Sequence, residues 1–159
     1  MCCKKTFAIN YSEGIFVGYR WYEAKKKPVN FPFGFGLSYT TFEFGKLSTD
    51  KKTYAPCDTI RLSLTLKNTG IVDGAEVVQL YVTQKNPSVL RPVKELKAFQ
   101  KIFLKAGETQ TTDLEIVAKD LAFYDETRHD WKLESGSYMI HSAASATDLK
   151  GRVEISLRD

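Results

Sequence analysis

From residue 42 onward the apolar positions of this chain recur with a period of two, the signature of strands with one buried and one wet face. The run from Thr59 to Lys67 is strict: Ile60, Leu62, Leu64 and Leu66 point one way, and Arg61, Ser63, Thr65 and Lys67 the other. Ahead of it, Phe42, Phe44 and Leu47 predict a short first strand, closed by Ser48 to Lys52. Asn68-Thr69-Gly70 and Asp73-Gly74 are turn clusters. Val77 to Thr83 comes next as a strand apolar on both faces, the pattern of a central position in a sheet. Pro87 and Pro92 mark a loop that interrupts the ladder. Leu96 to Leu104, and the alternation through Thr112, Leu114 and Ile116, predict two more strands on either side of the turn Ala106-Gly107-Glu108. Lys119 to Asp125 loses the period and predicts a single helical turn crossing from one sheet to another. Trp131 and Leu133, then Tyr138 to Ser142, then Val153, Ile155 and Leu157 complete seven or eight short strands.

No ten-residue helical period interrupts this series, so hairpins and arches must join the strands. A two-layer antiparallel β-sandwich is the economical all-β architecture. The disulfide and tryptophan of antibody domains are missing, which favours a fibronectin type III-like variant of the immunoglobulin sandwich. A closed barrel is open to the same strand count.

The stretch from Tyr11 to Phe42 behaves differently. Phe16, Tyr19, Trp21, Tyr22, Phe31, Phe33, Phe35 and Tyr39 are crowded into it, while Pro28, Pro32, Gly34 and Gly36 break any regular period. Such a segment holds many large rings but makes no long helix or strand. It predicts an irregular arm that needs a surface to lie on: its rings either fold back on the sandwich or stand as an exposed apolar patch.

Composition changes this picture little. At 159 residues the chain is long enough for one domain with a core that needs no disulfides. Cys2 and Cys3 are adjacent and Cys57 stands alone in a turn-like stretch, so no structural disulfide and no metal site are expected. The net charge of +4 comes partly from Lys25, Lys26 and Lys27, a solvated run rather than a nucleic-acid site. No stretch is long and apolar enough to predict a membrane helix, and Met1 to Asn10 lacks the apolar core of a signal peptide, leaving the compartment open.

Candidate chemistry is sparse. Two histidines, His129 and His141, fall at strand or strand-edge positions, and no nucleophile elbow, paired-histidine metal motif or phosphate loop occurs. Glu13, Glu23, Glu43, Asp120, Asp125, Glu126 and Asp130 all read as solvated, and none sits in an apolar run that would raise its pKa. Asp130 is expected to face solvent beside a turn. No catalytic residue and no cofactor are assigned. Tyr19, Trp21 and Tyr22 form the one candidate stacking platform for a saccharide, although the rings around them favour docking on protein.

Two runs carry a resemblance. Glu13-Gly14-Ile15-Phe16-Val17-Gly18-Tyr19-Arg20-Trp21-Tyr22 and Phe31-Pro32-Phe33-Gly34-Phe35-Gly36-Leu37-Ser38-Tyr39-Thr40-Thr41-Phe42 resemble the C-terminal junction of glycoside hydrolase family 3 β-glucosidases. The chain beyond Phe42, including Asp73-Gly74-Ala75-Glu76-Val77-Val78-Gln79-Leu80-Tyr81-Val82 and Asp120-Leu121-Ala122-Phe123-Tyr124-Asp125, is similar to their closing fibronectin type III-like domain. The resemblance implies residues 11–41 as a junction and docking arm, 42–159 as the sandwich, and 1–10 as an extension outside the family pattern. It implies a non-catalytic accessory role, with the catalytic domains of a parent glycosidase as partner and no nucleic acid or membrane. Both catalytic carboxylates of that family belong to domains with no counterpart in these residues, and its members are often exported. Glu13, Phe16, Tyr19, Arg20, Trp21, Tyr22, Phe31, Phe33, Gly34, Gly36 and Tyr39 become the docking residues, with Arg20 paired to a carboxylate on the partner. The alternative is a free-standing carbohydrate-binding module. Self-association through the arm is expected if its docking face is unmet.

Overall fold

The computed structural model describes Ile9 and residues 11–158. Among them, eleven strands build two facing sheets and one small hairpin. The first sheet is centred on β4 (Thr59–Asn68), whose alternation is realised as read: Ile60, Leu62, Leu64 and Leu66 are all buried. On one side β4 pairs along its length with β7 (Thr109–Val117). On the other it takes two short strands in succession, β1 (Phe42–Phe44) and β2 (Ser48–Thr49). The second sheet runs β3-β11-β10-β5-β6, with β3 (Thr53–Tyr54), β5 (Gly74–Gln84), β6 (Glu95–Leu104), β10 (Gly136–Ala143) and β11 (Leu149–Leu157). Two open sheets settle the sandwich over the barrel. Ile60 to Leu66 from one layer meet Val78, Leu80, Ile102, Leu104, Ile140, Ile155 and Leu157 from the other in one continuous core. Burying a Leu or Ile side chain of this kind is worth about 1.5–3 kcal/mol.

The first strand is not closed at Ser48 as its sequence predicts. β1 stops at Phe44, Leu47 drops into the core, and β2 rejoins β4 farther along, opposite Ser63 and Leu62. β3 then leaves for the other layer, where it pairs parallel to β11 through Ser156 and Leu157. That parallel contact is the exception in an otherwise antiparallel fold. Tyr54 anchors it, its ring buried and its hydroxyl donating to Asp50 Oδ1 at 2.6 Å.

The turn read at 106–108 is an arch carrying the chain from β6 in one sheet to β7 in the other. Gly107 has φ +76°, which the backbone reversal requires, and the Lys105 and Ala106 amides donate to the Glu108 and Asp73 carboxylates. The crossing read at 119–125 is a 3₁₀ turn, Ala118–Leu121, followed by a separate hairpin of β8 (Phe123–Asp125) and β9 (Asp130–Lys132). Asp130 is exposed beside the turn, and Cys57 is a free, exposed thiol. Cys2 and Cys3 lie outside the described residues, as does most of the 1–10 extension.

β5 sits between β10 and β6, the central place its apolar faces predict. Val78, Leu80 and Val82 turn into the main core. Gln79 and Tyr81 point to the opposite, outer face of the sheet, and yet are 3% and 0% exposed. Something lies over them.

Candidate docking arm

The cover is the arm. Its one regular element is a short helix, α1 (Tyr19–Ala24), entered through Gly18 at φ +61°. One turn and a half of helix is too short to be stable alone, so tertiary contacts must hold it. Tyr19 makes most of them. Its ring meets Tyr81 edge-on at 5.9 Å and stacks on Phe33 at 4.8 Å, and its hydroxyl accepts from the Leu96 amide at 2.8 Å. Tyr19 and Tyr81, with Leu96, Ala143 and Ala146, form a second small core on the outer face of the sheet.

Farther along, Gly34 crosses directly over Gln79. The Gln79 amide donates to Gly34 O at 3.1 Å and Ala144 O at 2.8 Å, and its Oε1 accepts from the Tyr81 hydroxyl at 2.7 Å. Burial pushes that phenol up to about 12. The Ala146 amide donates to Phe33 O at 2.8 Å, a further tie between strap and sheet. At Gly34 the glycine is demanded twice: φ is +78°, and a Cβ would overlap the Gln79 amide. Gly34→Ala should therefore lower stability by about 1–3 kcal/mol, read as a shift in the urea midpoint at unchanged slope.

Two ion pairs fasten the helix. Glu23 pairs with Lys94, whose side chain is 7% exposed, and Arg20 Nη2 lies 3.2 Å from Glu95. Glu95 also binds Arg91 at 3.3 Å and Lys97 at 3.6 Å, and burial holds the Lys97 ammonium below its usual range. This corrects the sequence expectation for Arg20: its carboxylate belongs to the same chain, on β6. It also corrects the reading of Glu23 as solvated, since Glu23 Oε2 is buried without a partner. The reach of Arg20 to Glu95 carried no signal in the sequence, because charges seventy-five positions apart give no pattern.

His141 lies on the same outer face, opposite Tyr81 and Arg152 in register. Burial, with Lys94 and Arg152 nearby, lowers its pKa below 6.5. The unfolded chain then binds the extra proton first, so stability should fall as pH drops below about 6.5. His141→Gln should flatten that slope in urea titrations run from pH 7.5 to 5.

The expected docking residues divide by direction. Tyr19, Arg20, Phe33 and Gly34 are engaged with the chain's own sheet. Glu13 and Gly36 are exposed, Phe16 is half-buried, and Trp21 meets Tyr22 edge-on at 5.2 Å with Lys27 above it. Phe31 is 74% exposed and Tyr39 wholly so, joined by Leu37 at 91%. Because Tyr19 turns inward, Tyr19, Trp21 and Tyr22 do not share one flat platform. Among the described residues no group of three or more His, Cys, Asp or Glu is placed to hold a metal ion.

Comparison with known proteins fits this geometry. Residues 76–146 match the family model of the fibronectin type III-like domain. The sandwich is a fibronectin type III-like domain. The chain is 44% identical over 143 residues to a β-glucosidase of Bacteroides ovatus, BoGH3A, covering 90% of the chain and 19% of the relative. It is 41% identical over 149 residues to an exo-α-(1→6)-L-arabinopyranosidase of Bifidobacterium breve, covering 94% and 19%. Among solved structures, the β-glucosidase of Kluyveromyces marxianus superposes with a TM-score of 0.88 at 40% identity, over 95% of this chain and 18% of that one. The chain thus spans about a fifth of the length of the relatives it matches, glycoside hydrolase family 3 enzymes among them, and within it residues 76–146 match the fibronectin type III-like domain. The match takes in the arm as well as the sandwich.

Proposed function

We propose that this chain is a non-catalytic accessory domain of a β-glucoside-hydrolysing enzyme, with residues 11–41 as the docking arm and 42–159 as the sandwich that carries it. The observation that carries the reading is the two-sidedness of the arm. Tyr19, Phe33 and Gly34 fix it to the sheet, while Leu37, Tyr39 and Phe31, whose ring meets Phe35 of the same arm, stand largely in water. A folded chain keeps so many large apolar groups exposed at a cost, and contiguous exposure marks a contact surface. The catalytic domains of the parent enzyme are the partner that covers it.

The purified chain should show no turnover of an aryl β-glucoside. Hydrolysis above background that disappears on substitution of a single carboxylate would overturn the proposal. In the absence of its partner the chain should self-associate at high concentration, and Phe31→Ser/Leu37→Ser/Tyr39→Ser should restore a monomer mass by light scattering. A carbohydrate-binding role for Trp21 and Tyr22 makes the opposite demand: retarded migration in a polysaccharide gel, lost in Trp21→Ala.

A further inference from the structure

The β8–β9 hairpin belongs to neither sheet, and two of its three aromatic residues point away from the rest of the fold. Tyr124 and Trp131 are directly opposite in register and meet edge-on at 5.8 Å, yet they remain 48% and 69% exposed. A two-stranded ribbon is marginal in water. Its tie to the rest of the chain is Phe123, under Arg91 at 5.8 Å with Lys132 at 5.9 Å; the outward pair adds a cross-strand contact and leaves most of its surface uncovered. Beside the pair runs a groove of about 1070 Å³ whose apolar rim includes Ile15, Leu90, Tyr124 and Trp131. Leu90 is 79% exposed and Ile15 52%.

We infer that this groove is a second docking contact, filled in the parent glycosidase by an apolar side chain of its catalytic body, with an acceptor oxygen on the indole N–H of Trp131. The inference rests on the accessory-domain reading and adds a surface remote in sequence from the arm. Three observations commit it to that occupant. Ile15 and Arg20 of the arm line the same groove, so the contact is continuous with the arm's own face. In a parent as long as the relatives, four-fifths of the polypeptide lies outside these residues, and Ile15, near the start of the arm, stands on this rim. The groove's four basic and four acidic side chains balance, and those around Glu95 are paired to one another, so it offers no net field to a charged ligand. What it offers is a large aromatic anchor whose indole N–H has no acceptor among the described residues, the composition of an interface hot spot.

The test compares hydrogen exchange in this chain alone with that in a chimera where residues 11–158 replace the matching fifth of the Bacteroides ovatus β-glucosidase. Turnover of an aryl β-glucoside certifies the chimera's fold. Exchange across residues 123–132 should slow at least tenfold in the chimera. Unchanged exchange there, with residues 31–39 newly protected, overturns the groove contact and leaves the accessory-domain reading standing. No protection in either segment overturns both. Should the chimera fail to fold, the intact Bacteroides ovatus enzyme supplies the measurement: its segment aligned with 123–132 should exchange as slowly as its sheet strands, and a rate as fast as the free hairpin overturns the contact. Trp131→Ala separates docking from folding. It should leave the melting temperature of the isolated chain within a degree and lower that of the chimera by several degrees. An equal loss in both assigns the indole to the hairpin itself and overturns the inference.

Discussion

Glu23→Ala should lower the unfolding free energy by about 3–5 kcal/mol, a loss out of proportion to the exposure of the helix it sits on. The reason is Lys94. Its side chain is 7% exposed, its ammonium lies over the Tyr81 ring, and the Glu23 carboxylate is its ion-pair partner there. Removing the carboxylate leaves a buried cation with nothing to balance it. The folded chain then has two recourses: to give up a proton, or to lift the arm and let water in. Burial already holds the Lys94 ammonium below the ordinary lysine value of 10.5. Because the unfolded chain keeps its proton up to that value, the deficit should shrink as pH climbs toward 10.5. Lifting the arm caps the cost at the free energy of arm docking, and amide exchange in residues 19–24 would report it by rising further than exchange in β4. Lys94→Met should cost less, since the Glu23 side chain is 26% exposed and a small outward shift of α1 brings its carboxylate to water. Glu23→Leu/Lys94→Met together should recover most of the loss, as apolar replacements of buried pairs commonly do. A Glu23→Ala protein within about 0.5 kcal/mol of the parent in urea would show that the pair does not hold the arm.

What could be read along the chain, and what could not, divides by the range of the signal. The alternation of β4 and the turn at Gly107 are local, and each was legible because one buried face or one positive φ imposes itself on adjacent residues. The two-residue strands β2 and β3 were invisible because a period needs more than two positions to show itself. β5 is the instructive case. Its apolar run correctly placed it in the middle of a sheet, but only one of its faces is buried by the opposite layer. The other is buried by a segment some fifty residues earlier, which is why a glutamine can stand at its centre. The arm was likewise legible as a crowd of rings in want of a surface, and part of that surface is the chain's own sheet. Which rings turn inward was not, because that choice is made by Gln79, Lys94 and Glu95, polar residues whose burial depends wholly on what lies over them. Trp131 continues a strand, as its spacing predicts. Its exposure comes from the hairpin standing apart from both sheets, which no alternation within nine residues could reveal.

Gln79→Leu should cost about 2–4 kcal/mol even though it swaps a buried polar side chain for an apolar one of similar size. Ordinarily such a change relieves a desolvation penalty. Here the amide serves three partners at once: Gly34 O on the arm, Ala144 O at the end of β10, and the Tyr81 hydroxyl. Leucine satisfies none of them. Gly34 is exposed enough to find water, so its carbonyl contributes little to the loss. The Tyr81 hydroxyl belongs to a fully buried residue and its next acceptor would have to come from solvent, which can enter only where the arm lifts. The cost should therefore appear in two places: a fall in global stability, and a larger fall in protection of the Leu96 and Ala146 amides, which donate to the arm. Adding Tyr81→Phe removes the orphaned donor and should return about 1–2 kcal/mol. The same Tyr81→Phe change in the parent background should be destabilising, because there it strips Gln79 of a donor. That reversal of sign, measured as a double-mutant cycle in urea, distinguishes a shared hydrogen-bond network from simple packing. If the two substitutions proved additive, Gln79 would be a passive filler of the sheet's outer face, and the arm would be held by its rings and ion pairs alone.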